Sequence, residues 1–163
     1  MAREIHIEPL TAEAFAPFGQ VIEADHARSF LINEGRTRRY NALATPDAGE
    51  NGTVVLSIFR GTPWPRPIRI RMLERHPLGS QAFVPMTRHP WLAVVAERPE
   101  PAACRAFLVR GDQGLQYAAN TWHHPLLALQ PVHDFLVIDR AGPGENLEEH
   151  HFDPVAEIVI DPI

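Results

Sequence analysis

The chain has 163 residues, the size of one domain, and its 15 basic residues are all arginine, so with no lysine there can be no lysine imine with a carbonyl substrate, no pyridoxal-phosphate anchor and no P-loop lysine. Its single cysteine, Cys104, excludes an intrachain disulfide and a CxxC zinc site. A net charge of −5 argues against nucleic acid as a partner, and the absence of a signal-like start or a long apolar run argues against export or a membrane, so the expected setting is the cytoplasm.

Sixteen prolines lie mostly between apolar runs, where they break helices and punctuate strands. The one clear helix signal comes first, at 11–15, with Thr11 as N-cap and Glu13 in the first turn, ending before Pro17. Short strands are expected at 54–59 and at 68–73, the latter alternating with period two. Others are expected at 81–86, 91–96, 106–109, 126–129, 135–139 and 158–160. Many short strands separated by turn residues predict an all-β sandwich, jelly roll or barrel as a single domain.

Two segments concentrate chemistry. If the strand at 68–73 stays regular, Glu74 and His76 continue the face of Ile68, Ile70 and Met72. A carboxylate and an imidazole aimed into a barrel mouth need a partner, a metal or water. The alternative is a strand that ends near Leu73, leaving both residues solvated. The second segment is Asn120-Thr121-Trp122-His123-His124-Pro125-Leu126, in which adjacent histidines on a strand face opposite sides and at most one enters a given pocket. A Glu-x-His and a separate His form an oxygen/nitrogen set suited to a divalent transition metal. Arginines inside apolar or hairpin-like stretches are candidate carboxylate clamps: Arg39 with Tyr40, Arg60, Arg75, and Arg140, with Asp134 and Asp139 bracketing the strand at 135–138. His6, His26 and the His150-His151 pair look like ordinary surface residues.

The run Glu74-Arg75-His76-Pro77-Leu78-Gly79-Ser80-Gln81-Ala82-Phe83-Val84-Pro85-Met86 resembles the signature of the ureidoglycolate lyase family. Trp122-His123-His124-Pro125-Leu126 and Asp134-Phe135-Leu136-Val137-Ile138-Asp139-Arg140 resemble its second block. Pro9-Leu10, Phe18-Gly19, Ile32-Asn33-Glu34-Gly35 and Arg39-Tyr40 agree in kind and order, so the resemblance spans about residues 5 to 142. Residues 143–163 carry no family feature.

The resemblance implies a cupin-type double-stranded β-helix, a homodimer, and conversion of (S)-ureidoglycolate to glyoxylate and urea in allantoin breakdown. In cupin terms the metal slots read Glu74, His76, Gln81 and His123 or His124, with Glu and Gln standing where His and Glu are usual. This set implies a divalent metal such as Ni or Zn and no organic cofactor. The catalytic candidates are Glu74, His76, His123 and His124. Arg39, Tyr40, Arg60, Asp134 and Arg140 are the substrate-binding candidates. Two other readings are a cupin enzyme of different chemistry, a metal-dependent isomerase or dioxygenase acting on a small acid, and a non-catalytic binder of small acids.

Overall fold

Prolines and glycines cut the chain into short strands, one α-helical turn and three 3-10 turns among the residues that the computed structural model describes, 2–161. In chain order these are β1 (Arg3–Glu4), β2 (Ile7–Pro9), α1 (Ala12–Phe15), β3 (Gly19–Ile22), β4 (Ser29–Ile32), β5 (Thr37–Tyr40), β6 (Thr53–Gly61), β7 (Ile68–Ile70) and β8 (Met72–Arg75). There follow β9 (Gln81–Pro85), β10 (Trp91–Ala96), β11 (Cys104–Val109), β12 (Gly114–Tyr117), β13 (Trp122–His123), β14 (Leu127–Ala128), β15 (His133–Ala141), β16 (Glu148–His151) and β17 (Ile158–Ile160).

Two sheets face each other as a cupin-type jelly roll, the expected fold class. One has the order β3-β12-β9-β15-β6; the other runs β16-β8-β13-β10-β11-β2, with β14 also on β10. Between them lies an aromatic core. Trp91 meets Phe135 at 5.2 Å and Phe83 at 6.1 Å between ring centroids. Helix α1 plugs this core as its sequence predicts: Thr11 Oγ1 accepts the Ala14 N–H at 3.1 Å, and the turn drives Phe15 to full burial against Phe18, Phe107 and Tyr117.

A second core lies on the far side of β10. Trp91, Ala93 and Val95 point into the barrel, whereas Leu92, Val94 and Ala96 point outward onto Ile68, Ile70, Leu73, Ile158 and Ile160. That is why β10 reads as an unbroken apolar run rather than an alternation. The third sheet, β1-β17-β7, covers this outer core. It is pinned by Glu157, which takes Arg69 at 3.1 Å and Arg71 at 2.6 Å. The segment 143–163, featureless in sequence, therefore supplies strands to two sheets.

One expectation is corrected here. The run 68–76 is not one regular strand. It breaks at Arg71 between β7 and β8, and the phase shifts by one residue. Ile68, Ile70 and Leu73 fill the outer core, and Glu74 therefore does not share their face. It turns to the barrel interior instead.

Ile70→Ala leaves a void in the outer core and should cost about 2–5 kcal/mol in urea unfolding. A loss well under 1 kcal/mol would show that β7 does not close a packed layer.

Candidate active site

The pairing of β8 with β13 sets Glu74 directly opposite His123. His123 also lies opposite Val95, whose side chain is in the inner core, so both polar side chains enter the barrel. Glu74 Oε1 is 3.6 Å from His123 Nε2 and 3.9 Å from His76 Nε2. The two imidazole centroids are 5.2 Å apart. One ligand atom from each of the three residues lies within 4.8 Å of the others.

Two main-chain carbonyls decide what these imidazoles can do. His76 Nδ1 is 2.8 Å from Asn146 O, and His123 Nδ1 is 2.9 Å from Thr121 O. A carbonyl only accepts, so each Nδ1 carries the proton, and in the neutral ring each Nε2 keeps its lone pair. Both Nε2 atoms are buried and have no hydrogen-bond partner. Two bare imidazole nitrogens beside a carboxylate, each ring oriented by a carbonyl behind it, fit a divalent cation of the Ni or Zn type.

Burial pushes the Glu74 carboxyl upward, but His123, His76 and His124 outweigh it and hold the group below its ordinary range. It is therefore a carboxylate at neutral pH. Tyr117 of β12 lies flat on His123, with centroids 4.2 Å apart and planes 13° from parallel. Burial, with Glu74 nearby, drives its phenol well above the usual tyrosine value, so it stays protonated. Gln81 sits opposite Tyr117 in the β9–β12 pairing and donates from Nε2 to Asp139 Oδ2 at 3.2 Å, leaving its own buried Oε1 without a partner.

The remaining sequence candidates fall elsewhere. His124 is not in the triad. Its ring meets Trp64 at 4.9 Å and its Nδ1 contacts Pro125 O, while burial lowers its pKa to about 4. Arg60 and Asp134 hold each other bidentately at 2.8 and 3.0 Å, opposite the end of β9 rather than its start. They form an ion pair away from the triad. Arg140 is spent on three carbonyls: Ala48 at 2.7 Å, Glu50 at 3.3 Å and Pro143 at 2.9 Å. Arg75 pairs with Glu148 at 2.7 Å and stacks 4.5 Å from the Trp122 ring, pointing away from Glu74 as strand alternation requires. Tyr40 packs edge-on against His26, and Arg39 beside it lies exposed on the β4–β5 hairpin.

The sequence reading did not find Tyr117, Thr121 or Asn146. Only Tyr117 carries a signal: it shares a face with the core residue Leu115 by period two. The other two act through main-chain carbonyls, which no side-chain pattern reports.

The sequence pattern of the ureidoglycolate lyase family matches residues 2–159. The chain belongs to the ureidoglycolate lyase family. It is 52% identical to ureidoglycolate lyase 1 of Rhizobium meliloti, over 99% of this chain and 96% of that protein. It is 56% identical to the ureidoglycolate lyase of Brucella ovis, over 92% of this chain and 90% of that one. The ureidoglycolate lyase of Pseudomonas paraeruginosa is 49% identical, over 98% and 97%. The family signature quoted above is thus the segment that places Glu74 and His76 on the β8 side of the barrel, facing His123 across the β8–β13 pair.

The stack makes Tyr117 the wall that sets the plane of His123. Tyr117→Phe should keep the His123 ring and its Nδ1–H tautomer as they are, by nitrogen-15 imidazole spectroscopy. Tyr117→Leu should let the ring reorient and broaden its signals. Identical spectra for both variants would refute this role.

Proposed function

We propose that this member of the family is a carbon–nitrogen lyase that splits (S)-ureidoglycolate into glyoxylate and urea. The observation that carries the reading is the pair of buried, unpartnered imidazole lone pairs converging on the Glu74 carboxylate. The substrate is a carbinol whose carbon bears a hydroxyl, a carboxylate and a ureido nitrogen. The elimination breaks the O–H and C–N bonds, makes a C=O bond and moves one proton to the departing nitrogen.

His123 Nε2 takes the hydroxyl proton. The electron pair left on oxygen forms the aldehyde and expels the ureido nitrogen. The imidazolium formed on His123 is stabilised by the Glu74 carboxylate 3.6 Å away, and it then returns the proton to nitrogen to complete urea. His76 Nε2 accepts from a ureido N–H and orients the leaving group. The same three residues would hold a divalent cation, Ni or Zn, which would supply Lewis acidity toward the hydroxyl and carboxylate. Metal analysis of the purified enzyme decides which use the nitrogens serve.

An arginine is the natural partner for the substrate carboxylate. Arg60, Arg75 and Arg140 are each committed to the partners described above. Among the described residues Arg39 has none, so although it lies outside the triad on the exposed β4–β5 hairpin it is our choice for the clamp. We assign the reaction to allantoin breakdown in the cytoplasm. Among the described residues no helix is long and apolar enough to cross a membrane.

The reading includes a homodimer. Strand β6 is a sheet edge of nine residues whose Val54, Leu56 and Ile58 are 48%, 68% and 60% exposed on one face. Such a face is a liability for a lone chain and fits a second copy.

Glyoxylate release from (S)-ureidoglycolate tests the function. His123→Ala and Glu74→Gln should each lower kcat by roughly 10² or more, and Arg39→Ala should chiefly raise KM. A folded wild type without turnover would remove the function, and unchanged rates in the variants would remove the site. Leu56→Glu should convert a dimer to a monomer in light scattering; a wild type that is already monomeric refutes the dimer.

A further inference from the structure

A second pair of imidazoles sits at the other end of the same sheet. Strand β9 leaves the active site at Gln81 and ends at Pro85, about 13 Å on. Beyond it, the Met86 N–H bonds to Asp134 O at 2.9 Å, which brings Thr87 and His89 against the start of β15. Thr87, His89, His133, Arg60, Asp134 and Val132 line a cleft of about 580 Å³.

His133 is 4% exposed, and its Nδ1 lies 2.9 Å from Pro131 O, so in the neutral ring its Nε2 keeps a lone pair. That Nε2 and Thr87 Oγ1 are both buried and have no partner. The exposed His89 ring stands 5.6 Å from the His133 ring between centroids, close to the 5.2 Å of the active-site pair. The cleft thus offers electron pairs: one imidazole nitrogen aimed by a carbonyl, a second imidazole and a hydroxyl. Its one cationic side chain, Arg60, is already bound to Asp134 by two hydrogen bonds. An anion finds no free donor charge here, whereas a borderline-soft cation finds nitrogen ligands.

We propose that this cleft is a second divalent-metal site, of the zinc class, with His133 Nε2 and His89 as nitrogen ligands, Thr87 Oγ1 beside them and water completing the shell. Binding there ties the β9–β10 turn to the start of β15. The proposal does not rest on the lyase reading, because none of its residues touches the triad.

The test is zinc titration calorimetry on full-length protein stripped with a chelator, run on His76→Ala, which takes a ligand from the triad, alone and combined with His89→Ala or His133→Gln. With the triad deprived of His76, the expected result is one bound zinc per chain that adding His89→Ala weakens about tenfold or more and that adding His133→Gln removes. Because His89 is exposed, its replacement does not threaten the core, so it decides the matter even if His133→Gln fails to fold. Turnover of (S)-ureidoglycolate by His89→Ala should equal wild type, which separates this site from the catalytic one. In the His76→Ala background, zinc binding that does not depend on His89, or no zinc binding at all, would overturn the proposal, leaving the orphaned atoms to bind water.

Discussion

The chemistry of this barrel depends on two peptide carbonyls, those of Thr121 and Asn146. Each accepts the Nδ1–H of one histidine and so turns the opposite nitrogen toward Glu74. Without these acceptors either ring could present a proton instead of a lone pair, and neither base nor metal ligand would be fixed. Thr121 is local to His123, two residues before it. Asn146 is not local. It comes from the C-terminal segment, and its side chain also accepts from Leu78 N–H at 2.8 Å, so it binds the start of the loop after His76. The strands that follow it, β16 on β8 and β17 on β7, then keep that segment in place.

The two cores explain why a carboxylate survives inside the barrel. β10 is buried on both faces, so neither it, nor β13 beside it, nor β8 paired to β13 can slip by one residue without exchanging the two cores. Trp122 faces outward, opposite Ala96, which forces His123 inward, opposite Val95. Leu73 faces outward, which forces Glu74 inward. The hydrophobic layer thus places the polar site, and the histidines then favour the charged form of Glu74 against its burial. Tyr117 closes the back of the site with a face rather than a hydrogen bond, adding order to His123 without using its lone pair.

Much of this was legible from residue types and spacing. The helix cap, the short strands and the pairing of Glu74 with His76 on one face follow from elementary patterns. The phase of that face does not, because nothing around Arg71 marks a one-residue break. That only one of His123 and His124 could enter follows from strand geometry. Which one enters depends on where Trp122 packs, a tertiary fact. The arginines were least legible: Arg140 is consumed by carbonyls of two loops, and Arg60 by Asp134 across β6 and β15. His89 and His133 lie far apart in sequence and meet only because β9 pairs with β15.

The absence of lysine gains meaning once the site is in view. Capture of an aldehyde on a protein calls for an amine or a thiolate. No lysine is encoded, and the one thiol is in the outer core, on the far side of the β10–β11 layer from His123. Burial pushes that Cys104 thiol up to about 12, so it is no nucleophile. What faces the barrel interior at this site is a carboxylate, two imidazoles and a protonated phenol, a set able to move protons and to hold charge or a cation. In the proposed reaction glyoxylate therefore forms and leaves as a free aldehyde. The barrier then falls to proton transfer and charge placement, the two properties that the Thr121 and Asn146 carbonyls set.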